Sequence, residues 1–166
     1  MIIRVHNILR ALQEQASPAG AEVIQKVETS IYLETVTRTC YQALAESVNN
    51  AQARREFQLL FKEATLGQNQ AKMHFKNSIH DARIDRMCRA YDINPTGLSL
   101  LGLIDTALLG CWQKVDIYRY LARFSTGLSR SIFNRACLRT FKEIKILKKE
   151  QLFHQSRGHP VTGFWY

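Results

Sequence analysis

Only three prolines, Pro18, Pro95 and Pro160, occur in 166 residues. Residues 19–94 and 96–159 therefore lack the residue that most often interrupts a long helix. Four cysteines, Cys40, Cys88, Cys111 and Cys137, lie far apart, with no C-x-x-C pair. That spacing excludes a dense disulfide framework and a zinc site built from paired ligands, and predicts reduced thiols in an intracellular compartment. Long apolar runs are also missing. The longest, Leu98 to Trp112, covers 15 residues with Asp105 in its middle, so it predicts a buried core helix rather than a membrane span. No glycine-rich phosphate loop, nucleophile elbow or H-E-x-x-H pattern is present, which removes the commonest catalytic signatures. Acids are scarce toward the C-terminus: residues 114–166 hold 11 Lys/Arg against 3 Asp/Glu, whereas residues 1–113 hold 12 against 11. Nearly all of the net charge of +9 thus belongs to the last third, which points to an anionic partner or a basic docking surface.

What is present is helical periodicity. Val27, Ile31, Glu34, Tyr41, Leu44 and Val48 share one side of a first long helix, and Asn49-Asn50 marks a turn. A second helix over about 51–77 turns Phe57, Leu60, Ala64, Ala71 and Phe75 inward, and a helical connection through Arg83, Asp85, Arg86 and Arg89 leads to a break at Asp92 to Gly97. The third long helix carries Leu101, Asp105, Leu108, Trp112, Val115 and Ala122 on its predicted inner face. Ser125 to Gly127 supplies a turn, and a fourth helix runs to about Gln151 through Ile132, Phe133, Ala136, Cys137, Phe141 and Ile144. Strand-type alternation is absent.

The chain also echoes itself. Leu33-Glu34-Thr35 through Cys40-Tyr41-Gln42 returns 71 residues later as Ile104-Asp105-Thr106 through Cys111-Trp112-Gln113, which suggests two helical hairpins, 30–77 and 101–148. The expected fold is all-α: a four-helix bundle of two helical hairpins over 19–151, preceded by a short amphipathic helix at 1–18 and followed by an irregular docking tail at 152–166.

Within the first hairpin, Glu34 is followed by Tyr41-x-x-Leu44-Ala45-Glu46, a short turn, and Arg54-x-x-Phe57-x-x-Leu60-x-x-Glu63. This stretch of about 45 residues resembles the rubrerythrin branch of the ferritin-like superfamily. The resemblance implies a site for two iron or manganese ions, with one carboxylate from the first helix of each hairpin and Glu-x-x-His from the second. Carried over, Glu34 is the first carboxylate and Glu63 opens the Glu-x-x-His, but Leu66 stands where His belongs. In the second half Asp105 replaces the first carboxylate, Asn134 the second Glu and Cys137 its His. A site without either imidazole is a poor redox centre, so Glu34, Glu63 and Asp105 read as vestigial core acids and no metal or other cofactor is expected. Ile117-Tyr118-Arg119 resembles the Leu-Tyr-Arg signature of small mitochondrial assembly proteins, placed late in a third helix instead of opening a first.

Arg135, Arg139, Lys142, Lys145 and Lys149 recur at helical spacing and predict one exposed ridge, with Glu143 and Glu150 the only interspersed acids. Gly158, Pro160 and Gly163 stop the helix, and Phe164, Trp165 and Tyr166 end a tail suited to a neighbouring subunit. Residues 1–13 carry Arg4 and Arg10 and no acid before Glu14, which resembles a mitochondrial transit peptide; a plain first helix with a basic outer face fits the same residues. Together these features lead to a non-catalytic accessory subunit of a large intracellular assembly, a mitochondrial respiratory or ATP-synthase complex. Its partners are expected to be protein subunits, with anionic lipid or rRNA contact through the basic helix. An RNA-contacting mitochondrial ribosomal protein and a di-iron oxidoreductase using Glu34, Glu63 and Asp105 are the alternatives. No small-molecule substrate is indicated.

Overall fold

A computed structural model describes residues 18–90 and 94–158. The expected helix at 1–18 and the aromatic end Phe164, Trp165 and Tyr166 lie outside the described residues, apart from Pro18 itself. Among the described residues every regular element is helical. Five α-helices pack together: α1 (Pro18–Ser47), α2 (Ala51–Phe75), α3 (Asp81–Ala90), α4 (Leu100–Phe124) and α5 (Gly127–Gly158), with a 3₁₀ turn at Pro95–Gly97 before α4.

Local chemistry sets the boundaries. Pro18 opens α1, where its missing N–H costs nothing. Asn50 caps α2 by accepting from the amides of Gln52 and Ala53, and Ser99 caps α4 by accepting from Gly102. Asn94 caps the 3₁₀ turn through Thr96. Gly127 begins α5 at φ +56°, a left-handed conformation that a side chain would strain.

Helix α1 lies at the centre, packed against α2, α3 and α4, while α5 packs mainly on α4. Its burial is correspondingly broad, taking in Val27, Ile31, Leu33, Val36, Cys40, Tyr41 and Leu44. The apolar core has two parts. One gathers Tyr41, Leu44, Phe57, Leu60, Ile104, Cys111 and Leu147; the other gathers Val27, Ile31, Phe75, Ile84, Leu121 and Phe133. Phe75 and Phe133 stack at 5.4 Å in the second. In sequence, Glu34, Lys114 and Glu143 fall at the junction of these clusters, and all three are buried.

Three expectations are corrected here. Helix α4 is rotated relative to the predicted face: Leu108, Val115 and Ala122 are buried, but Asp105 and Trp112 are exposed and Leu103, Ile104, Ala107, Cys111 and Lys114 turn inward. The cause is the close approach of α4 to α1 at Gly110, where an added Cβ would lie 2.9 Å from Thr37 Cγ2. Next, the tail does not begin at Leu152, because α5 continues to Gly158. Residues 152–157 hold no breaker, and His154 sits 3.8 Å from Glu150 one turn earlier. Last, Arg139 is not part of an exposed ridge: its side chain is turned inward.

Candidate functional site

The junction between the apolar clusters holds a closed set of charges. Lys114 Nζ lies 3.0 Å from Glu34 Oε2, 2.7 Å from Glu143 Oε2 and 3.1 Å from Thr37 Oγ1. These three bonds use all three ammonium hydrogens. Tyr118 donates to Glu34 Oε1 at 2.6 Å, and Tyr41 donates to Glu143 Oε2 at 2.8 Å. Arg139 bridges the two acids, donating from Nη2 to Glu34 Oε1 and from Nε to Glu143 Oε1 at 3.3 Å. Cys111 Sγ lies 3.4 Å from Glu143 Oε2 and 3.2 Å from the Tyr41 hydroxyl. Two cations thus face two carboxylates, and no buried side-chain nitrogen or oxygen among the described residues lacks a partner.

Three helices supply the set. Glu34 and Thr37 come from α1, Lys114 and Tyr118 from α4, Arg139 and Glu143 from α5. Burial alone works to neutralise each charge, yet opposite charges reverse the outcome. For Lys114, the attraction of Glu34 and Glu143 more than offsets desolvation and raises its pKa above the ordinary lysine value. For Glu143, Lys114, Arg139 and the Tyr41 hydrogen bond overcome desolvation and hold the carboxyl at about 2. Both cations and Glu143 stay ionised near neutrality. The thiol of Cys111 goes the other way, pushed up to about 12, chiefly by burial, and Tyr41 and Tyr118 are raised well above the usual phenol range. The thiol and both phenols are thus held protonated, and the ion pairs and hydrogen bonds of the set tie three helices together.

Of the predicted acids, Glu34 joins this cluster. Glu63 is half-buried on α2. Asp105 is not a core acid: it is exposed on α4 and accepts from Gln151 Nε2 at 2.7 Å, because the rotation of α4 carries it outward. Leu66 and Asn134 are also exposed. No group of three or more His, Cys, Asp or Glu side chains among the described residues could hold a metal ion. The residues present do not fit a di-metal centre: the Glu34 carboxylate already takes hydrogen bonds from two cations and a phenol, Lys114, Arg139 and Tyr118, and no imidazole among the described residues lies beside it.

Arg135, Lys142, Lys145 and Lys149 are exposed as expected, and Lys149 pairs with Glu56 of α2 at 3.1 Å. Of the acids interspersed among them, Glu143 is buried and turned to Lys114 and Arg139, and Glu150, also buried, reaches Lys149 at 3.8 Å, so Arg135, Lys142 and Lys145 keep their charge on this face. Helix α5 consequently carries eight Lys/Arg and exposes no carboxylate. Sequence reasoning missed Lys148, whose Nζ sits 5.3 Å from the Trp112 ring centre, and it missed Lys114 entirely. A charged residue in phase with Ala107, Cys111 and Tyr118 was the available signal for Lys114.

A second buried carboxylate ties α3 to α1. Glu28 accepts from the His80 amide at 2.8 Å and from Arg83 Nη1 at 3.0 Å, and lies 3.1 Å from His80 Nδ1.

Compared with known proteins, the chain matches no family model, no curated protein and no solved structure.

Proposed function

We propose that this chain is a non-catalytic helical subunit of a larger assembly, with a ferritin-like bundle whose centre is closed by its own cations. The observation that carries this reading is the Lys114 ammonium, which uses all three hydrogens on Glu34, Glu143 and Thr37. In the resemblance, carboxylates of this kind hold metal ions; here the ammonium and the Arg139 guanidinium balance the two acids internally. Such a core supports a docking role, with partners gathered by the outer face of α5, where Arg135, Lys142 and Lys145 are exposed and both acids of the helix, Glu143 and Glu150, are buried. The mitochondrial setting, in a respiratory or ATP-synthase complex, draws support from the arginine-bearing, acid-free residues 1–13.

Two measurements test this reading. Protein expressed with added iron and manganese and purified without chelator is expected to carry well below one metal ion per chain. About two per chain, the usual di-iron content, would overturn the closed-core reading and restore the oxidoreductase. Native electrophoresis of the endogenous chain is expected to place it in a large complex that the variant Arg135→Glu/Lys142→Glu/Lys145→Glu no longer joins. Migration of the wild-type chain as a monomer would refute the docking role.

A further inference from the structure

On the seam between α4 and α5, two aromatic rings are set among cations. Trp112 is 43% exposed, and its ring meets that of Phe141 edge to face at 6.5 Å. Lys148 Nζ lies 5.3 Å from the Trp112 ring centre, and Arg119 Cζ lies 5.3 Å from the Phe141 ring centre. Lys145, one turn from both Phe141 and Lys148 on α5, is exposed beside them. The seam therefore sets a pair of touching rings between two cations, in the order Lys148, Trp112, Phe141, Arg119, a pattern invisible in α5 alone because Trp112 and Arg119 come from α4. The exposed carboxylates of these two helices are Asp105 and Asp116, both on α4, and Asp105 is engaged by Gln151.

We infer that this seam binds single-stranded nucleic acid, with a base stacked at Trp112 and phosphates held by Arg119, Lys145 and Lys148. The inference rests on the docking role of the basic face proposed above and gives the adjoining seam a nucleic-acid partner beside the protein subunits of the assembly. Charge complementarity requires an anionic partner. The rings select among anions, because an acidic peptide gains little from an exposed indole, whereas every base has a face that stacks on one. Lys148 lies over the Trp112 ring and Arg119 over the Phe141 ring, so a phosphate that meets either cation comes next to an aromatic ring.

The test is fluorescence anisotropy of the full chain with a fluorescein-labelled uridine oligonucleotide, across a salt series. Saturable binding is expected, with its salt dependence reduced by about 0.7 in log–log slope for each phosphate contact removed in Lys145→Gln/Lys148→Gln. Trp112→Ala is expected to weaken binding about tenfold with the slope unchanged, as loss of one stacked base requires. Trp112→Phe retains a ring and should keep most of the affinity, so it covers the case in which Trp112→Ala fails to fold. Absence of saturable binding, or equal affinity in the ring-less variant, would overturn the inference. So would competition by polyglutamate at equal charge, or tighter association with phosphatidylcholine–phosphatidylglycerol vesicles that the oligonucleotide cannot displace. If the oligonucleotide fails while the charge-reversal variant still leaves the large complex, the inference falls and the docking role stands.

Discussion

Lys114 is the residue on which the centre of the molecule turns. Its side chain is fully buried, between two carboxylates that are buried as well. Removing one member of such a set strands the rest: Lys114→Met would leave Glu34 and Glu143 with Arg139 as their only cation. We expect a loss of about 3–5 kcal/mol, the cost of an uncompensated buried charge, read from urea denaturation. Lys114→Met/Glu143→Gln should cost clearly less than the sum of its two single variants, since the second change removes the charge stranded by the first. Additive losses would show that the two residues are not coupled. The pH dependence follows from Glu143, whose carboxyl sits at about 2 when folded against 4.5 ordinarily. As pH falls the unfolded chain takes up the proton first. Stability from this group is therefore complete above about pH 4.5 and is lost as pH drops from there toward 2, by roughly 3 kcal/mol in all. The urea midpoint of the wild type should fall over that window, and that of Glu143→Gln should fall measurably less.

At the scale of elements, glycines decide how closely the helices carrying these charges approach. A Cβ at Gly67 of α2 would lie 2.2 Å from Arg139 Nη1. The guanidinium is the end of a long side chain, but it is held by Glu34 and Glu143 and cannot swing aside freely. Gly67→Ala should gain about 1 kcal/mol of helix propensity and lose more than that from the displaced ion pair, for a net loss of about 1–2 kcal/mol. In the Arg139→Gln background the clash is relieved, and the same substitution should become stabilising; thermal melts of the four proteins would show that change of sign or its absence. The same scale shows what was legible in the sequence. The inner face of α1 could be read, because Val27, Ile31, Glu34, Tyr41, Leu44 and Val48 hold helical phase and are all buried. The face of α4 could not, because the echo of Glu34 in Asp105 and the bulk of Trp112 both argued for the wrong side. Lys114 lies seven residues after Ala107 and three after Cys111, and Glu143 seven after Ala136, so each is in phase with apolar positions. That phase is a signal for burial, but the expected core omits Lys114 and the expected ridge holds Glu143 as an exposed acid, and nothing local tells that partners 80 and 29 residues from Lys114 complete it.

For the molecule as a whole, the arrangement implies an order in which its parts come undone. Helices α1, α4 and α5 share the charge cluster and most of the two apolar clusters, so opening any of them exposes ionised groups that are matched only when closed. Helix α3 buries one residue fully, Ile84, packs Met87 and Cys88 half-buried against the same cluster, and is tied by Glu28, a carboxylate with no exposed surface that receives the His80 amide and Arg83. It should therefore open alone, well below the free energy of global unfolding. Native-state hydrogen exchange is expected to show the α3 amides exchanging far faster than those at the centres of α1 and α4. Glu28→Gln keeps the shape and removes the charge that Arg83 meets, weakening a charge-assisted bond that contributes about 1.5–3 kcal/mol. Exchange in α3 should rise at least tenfold while the α4 amides near Lys114 change little. An equal rise in both helices would mean that α3 unfolds only with the rest, and that the cluster at Lys114 and the tether at Glu28 belong to one cooperative unit rather than two.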